Sequence, residues 1–223
     1  MGRTHLQDAV PITLGQEMNA YASATRRFIW RLTRSLGALQ NINMGGTAIG
    51  TGINAEKEYL KEYPQILSDL VGFRFETSPN LIDTTHSTDC FSEVSSALKV
   101  GALSLIKIAN DIRLMASGPR CGFREIILPA RQPGSSIMPG KVNPVIAVVL
   151  NQTCYQVIGN DLTIALCVEN GQLELNVMEP VLAYNLFNSF RYLTAAIDTF
   201  TDKLLKDLQA DPEQCQKWVD GSV

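Results

Sequence analysis

The chain has 223 residues, 45% hydrophobic and 18% charged, with 19 basic against 22 acidic side chains and a net charge of −3. That is enough chain for a sizeable core, it is too apolar and too evenly charged for disorder, and it lacks the basic excess of a nucleic-acid binder. Aromatic residues are only 7%, and Ala, Leu, Ile and Val dominate, which favours helix.

Residues 1–16 read as a loop punctuated by Pro11 and Gly15. A helix is expected over 17–41, where Met18, Tyr21, Ala22, Thr25, Phe28, Ile29, Leu32, Leu36 and Leu39 fall mostly three and four apart. GGTAIGTG (45–52) ends it. It follows a helix rather than a strand and lacks a following GK[ST], so it reads as a helix stop and tight turn rather than a phosphate loop. A shorter helix over 55–71 should be interrupted or kinked near Pro64. Residues 72–83 look irregular. Asp83, His86 and Asp89 read as cap and surface residues rather than a metal cluster.

The segment 84–117 carries a heptad seam, Leu98, Gly101, Leu105, Ile108, Ile112 and Met115. From Cys90 to Met115 it would span roughly 39 Å as a straight helix. Lys107, Asn110, Asp111 and Arg113 lie on the same segment and are expected to pair between helices, because polar groups near a seam need partners. A connection of about 25 residues, 118–143, follows; so long a loop in a compact domain is often functional. Helix resumes over 144–168, with Pro144 suited to the first turn. The last long helix covers 175–208, with the stripe Leu182, Leu186, Phe190, Leu193, Ile197, Phe200, Leu204 and Leu208; a short helix is expected after Pro212.

The expected fold is therefore all-α, a bundle of about five long helices packed up and down. Seams this long invite further copies of the chain. No stretch is long and apolar enough to span a membrane, and residues 1–17 lack the apolar core of a signal peptide, so a cytoplasmic protein is expected. The cysteines at 90, 121, 154, 167 and 215 are odd in number and without CxxC spacing. They read as buried free thiols, and with His5 and His86 the only histidines, a zinc site is not expected.

The most informative stretch is GSSIMPGKVNP, 134–144. It is a glycine-bounded loop running into a helix N-terminus, with two hydroxyls (Ser135, Ser136), a cation (Lys141) and an amide (Asn143). Inward N–H groups and the positive end of a helix suit an anionic ligand, and a serine beside a lysine loses its proton more readily than a free one.

This string resembles the signature loop of the aspartase/fumarase superfamily. GRTHLQDAVPITLGQE (2–17) is similar to that family's other active-site segment. GGTAIGTGIN (45–54), KIANDIRLMASGPR (107–120), VIGND (157–161) and GQLELNVMEPV (171–181) also resemble it. The likeness covers essentially the whole chain and is closest to the aspartase branch, with the fumarase branch next. It implies α,β-elimination on a four-carbon dicarboxylate, giving fumarate and ammonia from aspartate through an aci-carboxylate intermediate, with no cofactor. By the resemblance Ser135 is the base and Ser136 holds the β-carboxylate. Lys141 and Asn143 bind carboxylates, and Thr4 and His5 touch the substrate's polar groups. The resemblance also implies a homotetramer whose sites combine segments of different subunits.

On this reading residues 1–16 are an active-site lead-in, 17–208 a central helical domain with its loop at 133–144, and 209–223 the start of a C-terminal domain. Family members are longer, so the chain alone is expected to be inactive. A catalytically inert assembly module is the alternative outside the enzymes. One further departure concerns Val148, which stands where the family usually has a glutamate that pairs with the histidine matched by His5.

Overall fold

The computed structural model describes residues 1–134 and 136–222. Among them are seven α-helices: α1 (Leu14–Ser35), α2 (Lys57–Val71), α3 (Leu81–His86), α4 (Asp89–Met115), α5 (Val145–Glu169), α6 (Glu179–Lys203) and α7 (Pro212–Asp220). Four of them, α1, α4, α5 and α6, run 22 to 27 residues. With α2 they make the five long helices of an all-α bundle. Six strands of two residues each form three small ladders: β1 (Arg3–Thr4) with β2 (Gln7–Asp8), β3 (Asn41–Ile42) with β4 (Glu76–Thr77), and β5 (Ile126–Ile127) with β6 (Gln209–Ala210).

The chain divides into two compact units, and α1, α4, α5 and α6 each give residues to both, while α2 lies in the second. The first comprises 1–27, 101–155 and 192–223. Its core holds Leu105, Ile108 and Ile112 of α4, Leu150 and Cys154 of α5, and Leu193, Phe200 and Leu204. Polar bonds join its helices as well: Tyr21 of α1 donates to Asp111 Oδ2 at 2.8 Å, and Asn151 Nδ2 of α5 donates to Asn110 Oδ1 at 2.7 Å. Lys107 pairs with Asp111, and Arg113 reaches Asn110 Oδ1 at 3.2 Å. The seam helix thus binds both neighbours through the polar residues of KIANDIR.

The second unit comprises 28–100 and 156–191, with Phe28, Tyr63, Val94, Leu98, Val157, Ile164, Leu182 and Leu186 in its core. Asn176 ties three helix ends together here. Its Nδ2 donates to Thr88 Oγ1 at 3.0 Å and to the Cys167 carbonyl at 2.9 Å, while its Oδ1 accepts from Met178 N at 2.9 Å. Asn160 Nδ2 donates to Ser189 Oγ at 3.0 Å, so VIGND and ELNVMEP are packing motifs.

Several local expectations are corrected. α2 runs uninterrupted through Pro64, although a proline removes one N–H; buried Tyr63, the residue before it, donates to Thr77 Oγ1 at 2.8 Å. Residues 36–39 tighten into a 3₁₀ turn instead of extending α1, and Ile29 of the expected seam is exposed. The glycines of GGTAIGTG serve turns and close packing; at Gly50, with φ +86°, a Cβ would lie 2.3 Å from Ile82 Cα of α3. α6 begins at Glu179 rather than 175, because the Asn176 side chain holds the preceding turn. The 118–143 connection is not structureless, since β5 within it pairs with β6 some eighty residues on. Asp83 accepts from Ser87 Oγ at 2.9 Å and Asp89 from Cys90 N at 3.0 Å. Among the described residues no helix is long and apolar enough to cross a membrane.

Candidate active-site segments

Two segments singled out in the sequence fall in the first unit. The earlier one is a hairpin, not a loop. Arg3 pairs with Asp8 and Thr4 with Gln7, leaving His5 and Leu6 as a two-residue turn, both left-handed, with φ of 55° and 61°. Such a turn matches the twist of short paired strands but usually carries Asn-Gly. Gly2 extends the ladder by two backbone bonds of 2.9 Å, to Val10 and from Ala9. Thr4 and His5 lie exposed at the tip.

Arg3 anchors this hairpin. Its guanidinium donates to Glu125 Oε1 at 2.8 Å, stacks 4.0 Å from the centre of the Phe123 ring, and sits 3.9 Å from Asp8. The chain at 123–125 is fixed in turn by the terminal segment. Glu125 O accepts from Asp211 N at 2.9 Å, and Phe123 O accepts from Trp218 Nε1 at 2.8 Å. Beside the hairpin is a cavity of about 280 Å³ whose lining includes Arg3, Glu17, Tyr21, Asp111 and Glu125. Burial, and next the charge of Glu125, push the Glu17 carboxyl above its usual range. Burial and the bond to Asp111 push the Tyr21 phenol up too.

The later segment, 134–144, leads into α5. Ser135 lies outside the described residues. The loop closes on itself: a Cβ on Gly134 would meet the Lys141 carbonyl at 2.8 Å, Gly140 turns with φ +81°, and Lys141 N donates to Met138 O at 3.2 Å. Ser136 and Lys141 are exposed, and Asn143 is half-buried immediately before α5. The positive end of that helix therefore sits behind Lys141 and Asn143. With Ser136 they offer a cation, a hydroxyl and an amide, the groups that hold carboxylates.

Among the described residues, no hydrogen bond or ion pair involves the side chain of Thr4, His5, Ser136, Lys141 or Asn143. The described loop residues do not line the cavity beside the hairpin. Val148 is half-buried in the first turn of α5. Arg3 and Glu125 escaped the sequence reading. Arg3 adjoins Thr4 and was within reach of it, but Glu125 carries no local signal, since its importance comes from a partner 122 residues away.

The profile of a protein family described as lyase matches residues 1–159. The chain belongs to this lyase family, the aspartase/fumarase superfamily. It is 54% identical over all 223 residues to an aspartate ammonia-lyase from a Bacillus species, covering 48% of that protein. A fumarate lyase:delta crystallin from Brucella melitensis, solved bound to cobalt, matches with a TM-score of 0.93 and 48% identity over 96% of this chain and 47% of that one. A class II fumarase from Schistosoma mansoni matches at 0.96 and 37% identity, over 99% of this chain and 49% of its own. The chain thus spans about half the length of the relatives it matches. Aspartate ammonia-lyases, which are carbon–nitrogen lyases, resemble it in sequence along its whole length.

Proposed function

We propose that the protein carrying this chain is an aspartate ammonia-lyase, which eliminates ammonia from L-aspartate to give fumarate. The observation that carries this reading is the identity of 54% along the entire chain with an enzyme of that name. In this reading Ser135, as an alkoxide, takes the proton from the carbon beside the β-carboxylate. The electron pair moves into that carboxylate, forming the aci-carboxylate, and then expels ammonia. The proton is weakly acidic, so catalysis rests on stabilising the added charge. Ser136, Lys141, Asn143 and the start of α5 supply that stabilisation, and Thr4 and His5 contact the substrate's polar groups. Sites assembled between copies are supported by α5, apolar on all sides, with Val149, Tyr155, Leu162 and Leu166 exposed on the single chain. We read the assembly as a homotetramer in the cytoplasm.

The test is fumarate absorbance with the intact protein. L-aspartate should give fumarate with one ammonia released per turnover, and Ser135→Ala should lower kcat on the order of a thousandfold or more. Fumarate from L-malate alone would favour a fumarase instead. No turnover of either would leave an assembly module.

A further inference from the structure

We propose that Arg3 is the positioning residue of the Thr4–His5 turn, a role that builds on the ammonia-lyase reading above. The turn sits in a backbone state that its own sequence disfavours. His5 and Leu6 are both left-handed, and neither is glycine, asparagine or aspartate. Strands of two residues each cannot enforce such a turn by pairing alone. It persists only where its surroundings over-determine it.

Arg3 supplies that determination. It is the residue before Thr4 and is held on three sides: by the Glu125 carboxylate at 2.8 Å, the Phe123 ring at 4.0 Å and its cross-strand partner Asp8 at 3.9 Å. The Arg3 and Glu125 side chains are only 12% and 7% exposed, so the pair is shielded and its geometry specific. Phe123 and Glu125 are themselves pinned through their carbonyls by Trp218 and Asp211. A line of fixed contacts therefore runs from the α7 region through 123–125 to Arg3 and ends at the turn that presents Thr4 and His5. A planar guanidinium can stack on a ring face and donate in its own plane at once, which a lysine ammonium cannot. Lysine at position 3 keeps the charge beside Glu125 but should release the turn.

The test uses Arg3→Lys, Phe123→Leu and Arg3→Met in the intact protein, with two readouts. The first is the NMR signature of positive φ, a strong intraresidue HN–Hα cross-peak at His5 and Leu6. It should weaken in Arg3→Lys and Phe123→Leu while the tertiary spectrum elsewhere is retained. The second is the kinetics with L-aspartate. In Arg3→Lys and Phe123→Leu, kcat/KM should fall on the order of tenfold to a hundredfold, with the thermal midpoint and oligomeric state little changed. In a His5→Asn background, Arg3→Lys should add less than about twofold, because both changes act through the same turn.

Retention of the positive-φ signature in Arg3→Lys and Phe123→Leu would overturn the proposal, as would a full independent effect of Arg3→Lys on top of His5→Asn. Should Arg3→Met fail to fold, the other two variants still decide. Failure of the ammonia-lyase reading shows separately: L-aspartate is then not turned over or His5→Asn is silent, while the NMR signature still reports on the turn.

Discussion

Ser95 of α4 donates its hydroxyl to Oδ1 of Asp161 on α5 at 2.8 Å, and Lys99, one turn further on, reaches Oδ2 at 2.5 Å. Asp161 is almost fully buried, whereas 36% of the Lys99 side chain is exposed. The two members of this pair are therefore unequal. Removing Asp161 lets Lys99 return to water, but removing Lys99 leaves a buried carboxylate with a single hydroxyl partner. Lys99→Met should lower stability by about 2–4 kcal/mol, and Asp161→Asn by about 1–3 kcal/mol. Denaturant melts of the two variants check the order, and a smaller loss for Lys99→Met would show that the carboxylate does not depend on its cation.

Glu17 provides a pH dependence of known sign. Its folded-state pKa is raised above 4.5, first by burial and then by Glu125. The folded state therefore holds the proton more tightly than the unfolded chain does. The stabilisation is full below the unfolded pKa and is lost as pH rises through the folded one. Glu17→Gln mimics the protonated form. Its thermal midpoint should match the parent well below pH 4.5 and exceed it near neutrality. Equal midpoints at both pH values would mean that the cavity beside the hairpin does not penalise the charge.

The cysteines should divide by burial rather than react as a group. Cys154 is fully buried and its thiol is pushed up to about 12 by desolvation, so it is not a nucleophile at neutral pH. Cys167 is buried too, while Cys121 is exposed. Brief maleimide treatment of the folded protein, read by peptide mass spectrometry, should modify Cys121 first and leave Cys154 and Cys167 untouched until denaturant is added. Early labelling of Cys154 would show that the α4–α5 packing opens readily.

The seam of α4 was fully legible: Leu98, Gly101, Leu105, Ile108, Ile112 and Met115 are all buried, because a helix turns a three-and-four spacing into one face. α5 was legible as a helix, but not for which side faces inward, since apolar residues surround it. The Thr4–His5 hairpin is not legible in the sequence, which there looks like a loop. Its strands are too short to show alternation, and its turn lacks the glycine that announces one. The β5–β6 ladder is invisible for a different reason, as its two-residue strands stand some eighty residues apart in sequence. Within the loop, the string 134–144 carried its own recognition. The anchor made by Glu125 did not, because a long-range ion pair leaves no pattern in neighbouring residues.

Val148 offers the last prediction. It is half-buried in the first turn of α5, its N–H donating to Pro144 O at 3.1 Å. The resemblance places a glutamate there that pairs with the residue matched by His5. Within one chain, His5 stands at the tip of the hairpin, its side chain without a hydrogen-bond partner among the described residues. A carboxylate beside an imidazole favours its charged form, and one in the first turn of a helix is also favoured by the helix dipole. Val148→Glu in the intact protein should therefore be tolerated in the fold and should shift a limb of the pH–kcat/KM profile to higher pH. The shift should vanish in Val148→Glu/His5→Asn and be absent from Val148→Gln. A profile unmoved by Val148→Glu would separate His5 from the start of α5 and leave Arg3 as the main constraint on the turn.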